Sequence, residues 1–372
     1  MDTNQVYAIV NGVAAQALGD STLAALDTAG LVQLGTAVLS SQSNTEAFLN
    51  TLVQRIGRTI ISYRKYTNKL GDMVLTDFEW GAILQKIKVK MPAVVEDDAY
   101  DLTDGQSIDH YIVSKPHATQ KLFVARNPYS LYVTISRKLL KEAFLSESAM
   151  AGFLAAVFGE VQNKIELSFE NLGRLCIANY IAEIAGGARE VKLLTLYRGV
   201  NTGASGLTPQ NALIDNGFLR YAAGVMKLYS KRFTDMSVLY NDGSETRHTP
   251  VADQRFRILS DFETAMETQV EYAAFHEKFV SLRGTYTTIN FWQSAQTPAS
   301  VLVIRASDDA ETAVNNIVGI LHDRDAMGLY KEEEDVLTTP VNARGMYYNT
   351  FWHLMRNYLN DLSENCVIFT LN

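Results

Sequence analysis

The chain has 372 residues, 47% hydrophobic and 20% charged, and its 33 basic and 41 acidic side chains leave a net charge of −8. That apolar content can fill a large core, arranged as two domains or as one with long extensions. No basic face suits a tight grip on DNA, no run reaches the roughly 18 apolar residues of a membrane helix, and the N-terminus MDTNQVYAIV is not built like a signal peptide.

Residues 1–66 read as short helices, with apolar positions at helical spacing in Val6–Ala17, Leu31–Leu39 and Phe48–Ile61. Ser43 or Asn44 is positioned to cap the third, with Glu46 in its first turn. These helices are alanine-rich and weakly amphipathic. They are expected to have little core of their own and to gain stability from neighbouring subunits.

The pattern changes after residue 78. From Ile83 to Met91 the odd positions Ile83, Ile87, Val89 and Met91 are apolar, and the even ones include Lys86, Lys88 and Lys90. Such alternation predicts a half-buried strand with the lysines outward, where they discourage wrong edge pairing. Residues 92–119 turn acidic, with Glu96, Asp97, Asp98, Asp101, Asp104 and Asp109. Alternation returns over Leu122–Arg137, where Phe123, Ala125, Tyr129, Leu131, Val133 and Ile135 share a parity. The two runs read as a long hairpin-like ribbon.

Residues 146–185 read as one helix of about 40 residues, roughly 60 Å long. Ser146 is its candidate N-cap, apolar residues recur from Met150 to Ile184, no proline interrupts, and Gly186–Gly187 end it. Cys176 falls in this apolar run and reads as a buried thiol; two cysteines, Cys176 and Cys366, are too few for a disulfide framework. Beyond Lys192 the pattern is compact α+β. Phe218–Tyr229 and Asp261–Phe279 read as helices, the latter capped by Asp261. Ser237–Tyr240, Arg255–Leu259, Ser300–Ile304 and Glu364–Leu371 read as strands, and Asn315–Leu321 is an apolar run ending in HDRD.

Motifs and their spacing point to no catalytic residue, no cofactor-binding residue and no metal ligand. The six histidines lack ligand spacing to one another, and there is no GxSxG, P-loop or GxGxxG. His322 beside Asp323 and Asp325 could serve as an acid–base pair, but such a cluster ending an apolar run is more commonly a solvated turn. Lys331–Asp335 (KEEED) could hold a divalent cation, and a charged surface loop is the commoner meaning. LLTLYRGV, with Arg198 after a strand-like run, is similar to the arginine motif of ADP-ribosyltransferases. Glu332 and Glu334 would then supply that family's paired carboxylates. The middle motif is poorly matched by Thr285–Thr288 (TYTT), which has no serine.

The order of elements carries a stronger resemblance. A helical arm, a long ribbon, a long helix and a compact α+β body resemble the Hong Kong 97 (Johnson) capsid fold. RNPYSLYVTISRKLLKEAFLSESAMAGFLAAVFGEVQNKIELSFENLGR is similar to the passage from E-loop to spine helix in major capsid proteins of small tailed phages of the podovirus type. RFRILSDFETAMETQVEYAAFHEKFVSL resembles their axial-domain segment, and IVGILHDRDAMGLY with NARGMYYNTFWHLMRNYLNDLSENCVIFTL resembles their closing segment. The resemblance implies an N-terminal arm over residues 1–70, an E-loop region over 71–140, a spine helix over 141–190, and axial and remaining peripheral strands over 191–372.

It further implies a non-enzymatic subunit that self-assembles into pentamers and hexamers of an icosahedral head. That head would be built in the host bacterial cytoplasm with a scaffolding protein and a portal. It would enclose double-stranded DNA without sequence-specific binding, and have no membrane partner. A chain starting at Met1 with no scaffold-like coiled region suggests a separate scaffold and no cleavage. An encapsulin-like compartment shares the fold and would hold cargo enzyme in place of DNA.

Overall fold

The computed structural model describes residues 3–19, 24–56, 66–75, 84–94, 97–100, 102–108, 111, 113, 115–124, 126–243, 245–269, 285–305 and 307–372. In chain order the helices are α1 (Thr3–Leu18), α2 (Thr28–Leu39), α3 (Gln42–Ile56), α4 (Arg137–Ala143), α5 (Glu147–Leu154), α6 (Glu160–Ile184), α7 (Leu193–Val200), α8 (Pro209–Ala212), α9 (Asn216–Arg232) and α10 (Ser260–Gln269). The strands are β1 (Leu84–Val89), β2 (Ala118–Phe123), β3 (Asn127–Ser136), β4 (Glu190–Lys192), β5 (Gln254–Leu259), β6 (Thr285–Ile289), β7 (Val301–Ile304), β8 (Glu311–Val314), β9 (Ile317–Asp323), β10 (Met327–Thr338), β11 (Tyr347–Asn360) and β12 (Cys366–Thr370). The chain divides into two compact units. The first comprises Met1–Trp80, Arg126–Gly173 and Leu329–Asn357, and the second Gly81–Ala125, Arg174–Gly328 and Tyr358–Asn372.

The first unit overturns the expectation that the N-terminal helices lack a core. Val10 and Val13 of α1, Leu31 and Leu34 of α2, and Phe48 and Leu52 of α3 are buried in one cluster with Leu140, Phe144, Met150 and Trp352. Small side chains permit this. A Cβ on Gly35 would fall 2.6 Å from Phe144, so the glycine lets α2 lie directly on that ring. Asn11 ties the α1–α2 connection by donating to the Ala25 carbonyl at 2.8 Å and accepting from its N–H at 2.7 Å. The cap of α3 is Ser41, whose hydroxyl accepts from the Asn44 N–H at 3.1 Å, two or three residues earlier than the spacing suggested. The last five residues of the expected third helix lie outside the described residues.

The run 122–137 is two strands in two sheets. β2 pairs with β1, whereas β3 joins a three-stranded sheet in the order β10-β11-β3. Along β3 the odd residues face inward, ending at buried Ile135 opposite Tyr348, as the parity predicts. KEEED lies within β10 and is not a loop.

The long helix forms as expected. The Ser146 hydroxyl accepts from the Ala149 N–H at 3.2 Å, and Gly186 leaves the helix with φ +75°. A π-helical turn at Ala155–Gly159 separates α5 from α6. That wider turn brings residues five apart onto one face, and Phe153 and Phe158 meet there edge to face, 6.1 Å between centroids.

In the second unit a five-stranded sheet runs β4-β12-β9-β5-β6. Every residue of β9 and β12 is buried, as a strand covered on both faces requires. α7, α9 and α10 contribute Leu194, Phe218, Leu219 and Phe262 to the core that meets Phe256 and Phe369 of this sheet. LLTLYRGV is the helix α7, not a strand. Ser237–Tyr240 makes only an isolated bridge, from Ser237 to Arg247. Asp261 sits inside the first turn of α10, and the predicted continuation over 270–279 lies outside the described residues. The remaining second-unit strands are the hairpin β7-β8 and the ribbon β1-β2.

Candidate interaction site on the ribbon

The ribbon register sets its two faces. β1 and β2 are antiparallel, with Lys86 opposite Lys121, Lys88 opposite Thr119 and Ile87 opposite Gln120. Directly opposed residues share a face, so Lys86, Lys88 and Lys121 point the same way. Like charges so placed repel unless anions meet them.

The anions come from the turn between β11 and β12. Lys88 Nζ lies 2.8 Å from both Asp361 and Glu364, Lys86 Nζ 3.0 and 2.8 Å from the same pair, and Lys121 Nζ 2.9 Å from Asp361. Lys88 also donates to the Ser363 hydroxyl, and Lys86 to the Asp325 carbonyl at 3.2 Å. The turn is rigidly held: the Ser363 hydroxyl donates to Asp361 at 2.6 Å, the Asp361 N–H to the Ala326 carbonyl at 2.8 Å, and the Tyr180 hydroxyl to the Asp361 carbonyl at 3.2 Å. Burial by itself would raise the Asp361 carboxyl. Hydrogen bonds from Lys88 and Ser363 and the charge of Lys86 outweigh it and hold the group well below its ordinary value. Glu364 is likewise lowered, its burial opposed by Lys86 and Lys88. Lys86 is raised: burial acts against its charge, and Glu364 and Asp361 prevail.

This reverses the face assigned from alternation. Lys88 is only 7% exposed, while Ile87 and Val89 are 64% and 59% exposed. The lysines face the protein because fixed carboxylates await them, and the apolar residues face out. Sequence reasoning missed Asp361, Ser363 and Glu364 as partners. The available signal was the pairing of two lysine-bearing strands, which places three cations on one face.

The other candidate chemistry is accounted for structurally. His322 is not in a solvated turn but buried in β9. Its Nδ1–H donates to the Asp323 carbonyl at 2.7 Å, and its Nε2 accepts from Arg257 Nε at 3.2 Å. Burial and the charge of Arg257 lower it to about 3, so the ring is neutral and serves as an acceptor. Arg198, in the second unit, donates to the Leu207 carbonyl. In the first unit Glu334 pairs with Arg356 and Glu332 accepts from Asn357. Cys176 and Cys366 are buried free thiols, raised by desolvation. Among the described residues no group of three or more His, Cys, Asp or Glu could hold a metal, and no helix is long and apolar enough to cross a membrane.

A ribbon anchored by charge and apolar on its outer side, a long capped helix, and a central mixed sheet define a capsid fold of the Hong Kong 97 type. The chain superimposes on a chain of the capsid structure of Staphylococcus phage Andhra with a TM-score of 0.56 at 9% identity, covering 84% of this chain and 87% of that one. It belongs to the Phi29-like phage major capsid protein family, which matches residues 8–370. The major capsid protein of Bacillus phage PZA is 22% identical over 370 residues, covering 98% of this chain and 72% of that relative. That of Streptococcus phage Cp-1 is 23% identical over 336 residues, covering 87% and 81%. The chain is therefore a structural protein of the phage head, not an enzyme.

Proposed function

We propose that this major capsid protein assembles into pentamers and hexamers of an icosahedral head, with the ribbon as the arm that reaches a neighbouring copy. The observation that carries this reading is the two-sided ribbon. One face is tied down by Lys86, Lys88 and Lys121, and the other presents Ile87, Val89 and Leu122 to solvent. A monomer gains nothing from ordering an apolar face that stays wet, whereas a contact repeated around a closed shell buries it in every copy. In this scheme the ribbon β1–β2 is the E-loop of the 71–140 region, the helix from Glu147 to Ile184 is the spine of the 141–190 region, residues 191–372 supply the axial domain and remaining strands, and the N-terminal region 1–70 lays its helices α1–α3 on the first unit's core. The head forms in the host cytoplasm with a scaffolding protein and a portal, and encloses double-stranded DNA without reading its sequence.

Sedimentation and negative-stain microscopy test this. The wild-type protein should form capsomers or closed shells. The double variant Ile87→Asp, Val89→Asp should keep its thermal unfolding midpoint and stay monomeric. A wild-type protein that remains monomeric at every concentration, with or without its scaffold, would overturn the proposal.

A further inference from the structure

The first unit carries a groove of about 660 Å³ between α2 and α4. Its floor is the close approach of Gly35 to Phe144, and its apolar rim includes Val32, Leu145 and Met346. Leu145 is 59% exposed although it stands beside a buried core. The charged residues lining the groove are all basic: Arg137, Lys138 and Lys141. Arg137 is partly engaged, donating to the Leu39 carbonyl at 3.0 Å, and Lys138 makes an exposed contact with Glu142 at 3.8 Å. The groove thus calls for a segment that is apolar and acidic together.

One segment of this chain has that chemistry. Between Met91 and Lys115 the sequence holds Glu96, Asp97, Asp98, Asp101, Asp104 and Asp109, with no lysine or arginine. Interleaved with them are Val94, Tyr100 and Leu102. Tyr100 is 92% and Leu102 72% exposed, and Asp97 and Asp104 are exposed beside them. An exposed tyrosine and leucine among carboxylates are costly to leave in water, and they suit an apolar floor ringed by ammonium groups.

We infer that the acidic tip of the ribbon of one copy docks in the basic α2–α4 groove of a second copy, with Tyr100 and Leu102 over Leu145 and Met346 and Asp97 and Asp104 against Lys138 and Lys141. This rests on the reading of the ribbon as an arm between subunits and adds the seat it occupies. The same complementarity makes the contact salt-sensitive, since its charged groups lie at an exposed rim.

A benzophenone side chain placed at Leu102 tests it in assembled shells. Adducts between two copies that map to residues 32–40 or 137–145 support the seat. Adducts between copies that map elsewhere overturn the seat and leave the arm standing. Shells with no adduct between copies overturn both. A charge exchange gives a second test through exposed positions that leave the fold intact. The variant Lys138→Glu, Lys141→Glu should lower shell yield at least tenfold, and adding Asp97→Lys, Asp104→Lys should recover most of it. No recovery would overturn the seat.

Discussion

The ribbon strand β1 and the sheet strand β9 belong to the same unit and treat their apolar residues in opposite ways. β9 buries all seven residues, and even its histidine is held neutral between a carbonyl and Arg257. β1 buries a lysine and exposes isoleucine and valine. The difference is one of partners. β9 lies between two strands with helices packed on the sheet, so apolar side chains are its cheapest contents. β1 has one partner strand and, on its protein-facing side, a turn with two fixed carboxylates. A strand is thus held by whatever its one covered face meets, and its other face is left for another molecule.

The sharpest way to break this contrast is to damage the sheet. Phe369→Ala in β12 should cost about 4 kcal/mol by leaving a cavity in the core, lowering the thermal midpoint of the whole unit. Asp361→Asn comes next. It leaves the buried Lys88 short of an anion and should cost about 3 kcal/mol. Limited proteolysis should then cut within residues 84–123 well before the sheet. Simultaneous loss of ribbon and sheet would show that the clamp holds the body as well, and the contrast would fail.

Acid separates the two regions by a smaller effect. His322 is lowered from 6.5 to about 3 by burial first and Arg257 next. Its contribution is complete above 6.5 and is lost as pH falls from there toward 3. Asp323, raised from 3.8 chiefly by burial, runs the other way. Asp361 and Glu364, lowered from 3.8 and 4.5 despite their burial by the lysines around them, contribute fully above those values and lose their contribution only as pH drops below them. Lys86, raised from 10.5 by Glu364 and Asp361 against its burial, contributes below that value and fails only above it. Hydrogen exchange on an acid titration should therefore show the β9 amides weakening below pH 6.5 while the ribbon is unchanged until below about pH 4.5. His322→Gln should flatten the first phase alone.

Two smaller effects complete the series. Ser146→Ala removes the N-cap of the long helix and should cost about 1 kcal/mol in chemical denaturation. Ile87→Ser should change monomer stability by less than about 0.5 kcal/mol, as an exposed site does, and still reduce shell yield in microscopy. A large loss of monomer stability would mean that Ile87 is packed within its own chain.

Local signals carried much of the fold. The capped helix from Ser146 to Gly186, the continuous apolar run of β9 and the inward parity of β3 were legible because each depends on neighbours in sequence: a hydroxyl three residues from an N–H, or a periodicity of 2 or 3.6. The order of those elements sufficed to suggest the capsid fold. Where the information lay far along the chain, local patterning failed. It split neither β2 from β3 nor showed that α1–α3 share a core with Trp352, some 300 residues away. Alternation established that Lys86 and Lys88 oppose Ile87 and Val89, which is a property of any strand. Which of the two sets is buried was decided only when β12's turn brought Asp361 and Glu364 to the lysines. Burial is settled by what a face meets, and here it met charge.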